Sequence, residues 1–121
     1  MPRITHTAQA PLGAYGDYSV ANAADYVYQA ATGSSGDDGE KTLLTGKELI
    51  LIKNGATPRT ITITSVNDEF GRTGNIAAYA IGANEFAMFG PFKQPGWRQT
   101  DGFLYFEANN AEVLIAVIRL P

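Results

Sequence analysis

The stretch Thr60-Ile-Thr-Ile-Thr-Ser-Val66 decides the fold class of this chain, because isoleucine and threonine alternate along it. Successive side chains of a strand point to opposite faces, so this period of two places Ile61 and Ile63 on one face and the threonines on the other. β-branched residues also pack well on a pleated, half-buried surface. The stretch therefore predicts a strand with one buried face and one solvated face.

The segment before it, Glu48-Leu-Ile-Leu-Ile-Lys53, is apolar on both faces and predicts a second strand. Asn54-Gly55 ends that segment, and Asn-Gly is a favoured two-residue hairpin turn. We therefore expect Glu48–Lys53 and Thr60–Val66 to pair as a hairpin.

Further short apolar segments follow, separated by turn residues. Ile76–Ile81 predicts a strand, which Gly82–Asn84 turns so that Glu85–Phe89 runs back. A three-strand meander is predicted downstream, with turns at Asp101-Gly102 and Asn109-Asn110, from the segments Trp97–Thr100, Phe103–Ala108 and Glu112–Leu120. Val113–Ile118 is apolar on both faces, which fits either a central strand between covered faces or a subunit contact.

The N-terminal part is less regular. Ile4–Ala8 predicts a first strand or an arm. Tyr18–Ala31 favours a strand through Tyr26 and Tyr28, whereas an apolar stripe at helical spacing leaves a short helix near 18–31 open. We divide the chain into an arm or first strand at 1–16 and one domain at 17–121.

The count comes to about eight strands, and the chain's 13 glycines and 6 prolines are spread between them. A sheet with one apolar face must cover it with another layer. The expected fold is therefore all-β: a two-sheet β-sandwich, jelly-roll-like.

Composition excludes several function classes. Lys and Arg number 9 against 12 Asp and Glu, with no basic half, so we expect no nucleic-acid partner. The absence of cysteine removes disulfides and thiolate zinc sites. No apolar run approaches the ~20 residues that span a bilayer, and no signal peptide opens the sequence, so we expect no membrane partner and synthesis in the cytoplasm.

Catalytic signals are weak, and we expect neither enzyme activity nor a cofactor. The single histidine, His6, lies in the predicted arm, and no Gly-x-Ser-x-Gly motif is present. The carboxylates considered for glycan cleavage are expected as surface charge, with Glu107 partly buried; they are Glu85, Asp101, Glu107 and Glu112. Asp37, Asp38 and Glu40 predict a solvated loop, and calcium binding there is left open.

The aromatic residues suggest a contact surface. Most of those on strands are expected in the core: Phe86, Phe89, Phe103, Tyr105 and Phe106. Those near turns are expected to be exposed and to contact a protein partner rather than a sugar. Arg72 is expected exposed or tied to a neighbouring carboxylate. The candidate partner-contact residues are Ile4, Tyr15, Tyr18, Arg72 and Trp97.

Several segments resemble small β-rich proteins of tailed bacteriophages and prophages, namely head accessory (decoration or cement) proteins. They are Glu48–Asn54, Pro58–Val66, Phe70–Ile76, Gly96–Ala108 and Val113–Leu120, and the resemblance covers roughly residues 42–120. Its most distinctive parts are Arg72-Thr-Gly-Asn75 and Gly96-Trp-Arg-Gln-Thr-Asp-Gly102.

The resemblance implies a structural protein of the virion, made in the host cytoplasm and bound to the outside of the phage head. Its partners would be the major capsid protein and copies of itself, as a trimer or dimer, with no catalytic residue. Two alternatives stay open: a tail, connector or fibre module with a carbohydrate- or receptor-binding surface, and a small glycan or peptidoglycan hydrolase.

Overall fold

A computed structural model describes residues 3–11, 26–31 and 39–121 of the chain. The described residues form nine strands and one short helical turn, α1, at Gln94–Trp97. The strands are β1 (Ile4–Thr5), β2 (Gln29–Ala30), β3 (Glu40–Leu43), β4 (Glu48–Lys53), β5 (Arg59–Thr64), β6 (Ile76–Ile81), β7 (Phe86–Phe89), β8 (Phe103–Ala108) and β9 (Leu114–Arg119).

These strands form two sheets, in the order β1-β3-β8-β5-β6 and β2-β9-β4-β7. Neighbouring strands pair antiparallel, apart from the parallel pair β1–β3. The predicted all-β sandwich is confirmed, with one strand more than the count of about eight.

The core lies between the two sheets and is built by alternation along each strand. On β5, Ile61 and Ile63 are buried, while Thr60, Thr62 and Thr64 lie on the outer face, as the period of two predicts. β4 and β8 contribute inward residues in the same way. The largest apolar side chains of the core cluster are Leu44, Ile50, Ile52, Ile61, Ile63, Ile81, Phe92, Leu104, Phe106, Val113, Ile115 and Val117.

The predicted hairpin of β4 with β5 is wrong, because the two strands lie in different sheets. Asn54 is buried where the chain crosses between them, and its Nδ2 donates to the carbonyl oxygens of Thr57 (2.9 Å), Ile81 (3.1 Å) and Gly82 (2.9 Å). Its Oδ1 accepts from the Gly55 amide. Asn54 thus joins the connection from β4 to β5 with the connection from β6 to β7. A simple hairpin turn would not need a buried amide side chain of this kind.

The other strand pairs that were predicted to be adjacent in one sheet are also divided between the two sheets. β6 and β7 lie in different sheets, as do β8 and β9, so the predicted meander does not form. Its first segment is not a strand: Trp97 ends α1, and the Gln99 amide donates to the Phe103 carbonyl at 2.8 Å. Asp101-Gly102 does make a tight turn, with Gly102 at a φ of 89°.

The N-terminal segment joins the two sheets on one side of the sandwich. β1 pairs with β3, and Gln9 then bridges Ile118 of the other sheet. His6 lies between and is only 3% exposed, so its expected place on an arm is wrong. Its ring contacts Phe106 with the centroids 5.6 Å apart.

The sequence left two alternatives open: the role of the last strand, and a helix or a strand in residues 18–31. β9 is a central strand of its sheet, and four consecutive residues, 115–118, are buried, which fits the covered-strand reading. Of the stretch 18–31, the structure describes 26–31, where Gln29–Ala30 form β2. Residues 18–25, on which the helical reading depends, lie outside the described residues.

A buried carboxylate fixes the turn that leads into β4. Glu48 accepts hydrogen bonds from the amides of Thr45 (2.8 Å), Gly46 (3.1 Å) and Lys47 (3.2 Å), and from Arg119 Nε (2.6 Å). Burial alone would raise the pKa of Glu48, but the bonds from Arg119, Thr45 and Lys47 hold it below its ordinary value. The charged form of Glu48 therefore stabilises the fold.

We expect Asn54→Asp to lower the free energy of unfolding by about 3 kcal/mol and Asn54→Ala by about 2 kcal/mol. The aspartate would set a negative charge against the three carbonyl oxygens that Asn54 now donates to. Urea denaturation near neutral pH measures both values. An Asn54→Asp protein as stable as the parent would show that the crossings do not depend on this amide.

We expect Glu48→Gln to lower the free energy of unfolding near neutral pH by about 2 kcal/mol, because it removes a charged acceptor. The pKa of Glu48 is lower in the folded than in the unfolded chain. Its contribution is therefore present above the unfolded-state value and is lost as the pH falls through the folded-state pKa. Urea denaturation over a pH series should show the difference between parent and variant shrinking in acid.

Glu112→Gln is the matched control for Glu48→Gln. Glu112 also pairs with an arginine, Arg59, at 3.3 Å, but both side chains are partly exposed. Such a pair contributes less than about 1 kcal/mol. Equal losses in the two variants would contradict the role assigned to Glu48.

Candidate functional site: a braced loop and its cleft

The two segments that carry the most distinctive part of the resemblance lie side by side in the fold. The loop between β5 and β6, residues 65–75, meets α1 through the Val66 amide, which donates to the Gly96 carbonyl at 2.8 Å. Between loop and turn lies a cleft of about 220 Å³, lined among others by Arg72, Thr73 and Trp97. The structure thus brings together Arg72 and Trp97, two of the predicted contact residues.

Of the other predicted contact residues, the structure describes only Ile4, which is not at this cleft. Ile4 is exposed on β1, at the far end of the five-stranded sheet from β6. Tyr15 and Tyr18 lie outside the described residues. Among the described members of the predicted set, Arg72 and Trp97 share a site and Ile4 lies apart from them.

Asp68 organises the loop from within. Its Oδ1 accepts from the amides of Phe70 (2.8 Å) and Arg72 (2.9 Å), and its Oδ2 accepts from Arg72 Nε at 2.9 Å. These bonds, with the Arg72 amide first, lower the pKa of Asp68. Arg72 is both exposed and tied to a carboxylate, as the sequence predicts.

A second set of bonds closes the base of the loop. Asn75 Oδ1 accepts from the amide and the hydroxyl of Ser65, and Ser65 Oγ accepts from the Gly74 amide. The loop is therefore hydrogen-bonded at its tip, at its base and to α1. A loop held in this way loses little conformational entropy when it binds a partner.

The tip of the loop presents an aromatic ring and a guanidinium to solvent. Phe70 is 72% exposed, and the Arg72 guanidinium lies 5.0 Å from the centre of its ring. Aromatic and arginine side chains are enriched among residues that dominate binding at protein interfaces. Sequence reasoning missed Phe70; its place in a polar loop, away from any strand pattern, is the signal that would have found it.

Trp97 supports the cleft and is not an exposed contact, so its expected exposure is wrong. It is partly buried against the core, and its ring meets the buried Phe92 edge-on with centroids 4.9 Å apart. The positive φ of Gly96 (98°) turns the chain here and allows the ring to face inward. Arg72 is therefore the exposed member of the pair.

The expectation that most strand aromatics are in the core is also wrong. Phe106 is fully buried and Phe89 packs partly buried against the core, whereas the alternation of β8 turns Phe103 and Tyr105 to the outer face. There Lys41 Nζ and the Arg3 guanidinium each lie 4.4 Å from a ring centre, over Phe103 and Tyr105 respectively. Phe86 is exposed on β7.

Two of the four carboxylates considered for chemistry have local structural partners. Asp101 accepts from the Tyr105 hydroxyl at 2.5 Å, and Glu112 pairs with Arg59. Glu107 is partly buried, as predicted, and lies on the outer face of β8. In the ranges 3–11, 26–31 and 39–121, no group of three metal-ligating side chains forms.

The acidic loop is described only in part. Asp37 and Asp38 lie outside the described residues. Glu40 begins β3 and is fully buried, so the predicted solvated loop does not extend to it. Its side chain faces inward beside that of Phe106, its partner on β8.

Within the described part of the chain, no helix is long and apolar enough to cross a membrane. Comparison of the chain with protein-family models, with curated proteins and with solved structures finds no match.

We expect Asp68→Ala to loosen the loop without unfolding the protein. The amides of Phe70 and Arg72 lose their acceptor, so their hydrogen exchange should become about tenfold faster. Amide exchange followed by mass spectrometry or NMR measures this. Glu69→Ala, at the exposed neighbouring residue, should leave both rates unchanged; unchanged rates in Asp68→Ala would show that the carboxylate does not hold the loop.

Proposed function

We propose that this protein is a structural component of a phage virion, a decoration or cement protein. It binds the outside of the head and stabilises contacts between major capsid protein subunits. One observation supports this above the others: the two segments most characteristic of the resemblance meet at the cleft, where Arg72 and Thr73 of one lie beside Gly96 and Trp97 of the other.

The loop has the properties that such a contact requires. It is hydrogen-bonded before any partner arrives, and it carries Phe70 and Arg72 into solvent. We assign these two side chains to the capsid contact and Trp97 to the support beneath them. A small contact of this kind is sufficient on a shell, because many identical copies act together and each reinforces the same lattice.

The guanidinium also suggests the chemistry of the surface it meets. Arg72 Nε is occupied by Asp68, which leaves the terminal nitrogens at the exposed end of the side chain. Planar guanidinium groups pair well with carboxylates. The contact on the capsid protein would therefore be an apolar depression for Phe70, with a carboxylate beside it.

We expect purified protein to bind empty heads that lack it and to raise their melting temperature. Phe70→Ala should weaken binding about tenfold, because truncating a central aromatic contact typically costs more than about 1 kcal/mol. Co-sedimentation with heads gives the affinity, and calorimetry gives the melting temperature. Val27→Ala is the control, since Val27 is an exposed apolar residue beside β2, outside the loop and cleft.

A head whose melting temperature does not change at saturation would contradict the proposal. Binding that is equally strong in the parent and in Phe70→Ala would place the contact elsewhere. The alternative, a tail, connector or fibre module that binds a carbohydrate receptor, predicts glycan-array binding that is lost in Phe70→Ala while heads are not bound.

A further inference from the structure

The strands at the ends of the two sheets differ in how they are protected from pairing with another chain. Sheet edges in natural proteins are kept short, bulged, charged or covered, because a free edge is a template for further pairing. β1 and β2 are two residues long. β6 is irregular: its pairing with β5 shifts register, and Ala78 has a φ of 48°.

β7 has no bulge and no charge and is longer than β1 and β2, although Tyr79 of β6 contacts Phe89 at its end. It pairs in regular register with β4 over Phe86–Phe89, and within the described residues its other side has no strand beside it. Its sequence, Phe-Ala-Met-Phe, contains no charge, proline or glycine. Among the four described end strands, β7 is therefore the one most open to pairing with another chain.

The side chains of β7 are divided between the two faces of its sheet. Ala87 and Phe89 pack against the core. Phe86 and Met88 lie on the outer face, where they are 67% and 66% exposed. The strand therefore offers both an open backbone edge and two large apolar side chains.

We propose that β7 pairs antiparallel with β7 of a second copy of the chain, about a two-fold axis at Ala87. The two four-stranded sheets then form one continuous sheet of eight strands. An isologous contact of this kind is the commonest symmetry of soluble oligomers. The inference stands on the β7 edge alone and does not depend on the proposed capsid contact.

The register of the two β7 strands follows from the face of the sheet on which each side chain lies. Residues directly opposite each other in an antiparallel pair point to the same side of the sheet. Placing Ala87 opposite Ala87 of the second copy sets Phe86 opposite Met88 of that copy, so both exposed apolar side chains gain an apolar neighbour. A shift by one residue would set an outer-face side chain against a core-facing one.

The pairing of apolar side chains favours a second copy as the occupant, and charge does not oppose it. The outer-face neighbours of Met88 and Phe86 on β4 are Leu51 and Lys53. The row across the contact therefore reads Lys53, Phe86, then Met88 and Leu51 of the second copy. The two Lys53 residues lie in neighbouring rows, three strand spacings apart across the sheet and two residues apart along it, or roughly 16 Å, which exceeds the ~8 Å screening length at physiological salt.

The area indicates a weak dimer. Large side chains bury on the order of 200 Å² each, so two-thirds of Phe86 and Met88 amounts to roughly 270 Å² per copy. A stable interface buries about 800 Å² per partner. The dimer therefore forms at high protein concentration, or where copies are held close together on a larger assembly.

The sharpest test uses two cysteine variants, because the chain has no cysteine of its own. In the proposed register, Phe86→Cys of one copy lies opposite Met88→Cys of another, at a Cα separation of about 5 Å that suits a disulfide. An equal mixture of the variants at high concentration, oxidised and analysed by mass spectrometry, should give the mixed dimer in excess over the statistical half.

A statistical distribution of disulfides, or an excess of same-variant dimers, would overturn the proposed pairing. Concentration-dependent sedimentation of the cysteine-free protein gives a second readout. Met88→Lys should abolish association, because a lysine on an edge strand opposes pairing. Leu43→Lys, which changes an exposed leucine on the outer face of the other sheet, should leave association unchanged. A parent protein that stays monomeric up to millimolar concentration would also reject the dimer.

Discussion

The buried amide of Asn54 is the interaction on which the arrangement of the sandwich depends. It lies where β4 crosses to β5 and reaches the carbonyl oxygens at the start of the crossing from β6 to β7. A buried polar group costs free energy unless its hydrogen bonds are made, so these crossings stabilise one another. Through them β6 and β7 come to lie on the same side of the sandwich, where Tyr79 contacts Phe89.

The sequence predicts strands better than it predicts their partners. The bounds of β4 and β6 agree with the predicted segments, and the alternation at Ile61 and Ile63 holds, because period and burial are local properties of the chain. The hairpin at Asn54-Gly55 fails because Asn54 binds Ile81 and Gly82, which are distant in sequence. β3 was not predicted, because its buried residues Glu40 and Thr42 are polar and give no apolar alternation.

In the candidate site too, local contacts were predictable from the sequence and contacts between distant residues were not. The link of Arg72 to a carboxylate was predictable, because Asp68 stands four residues before it. The buried side of Trp97 was not, since the contact with Phe92 follows from the turn at Gly96. Phe70, Arg72 and their hydrogen-bonded loop form the proposed capsid contact, and the β7 edge is the proposed contact between copies. A protein that binds a lattice needs contacts with the shell and gains from contacts with its own copies.

Electron cryomicroscopy of heads saturated with the protein tests whether the braced loop meets the shell. If it does, density for residues 68–75 lies against the capsid protein, with Phe70 and Arg72 enclosed by it. A map in which the protein is bound but this loop points into solvent, or in which no copy is bound, would rule out the proposed capsid contact.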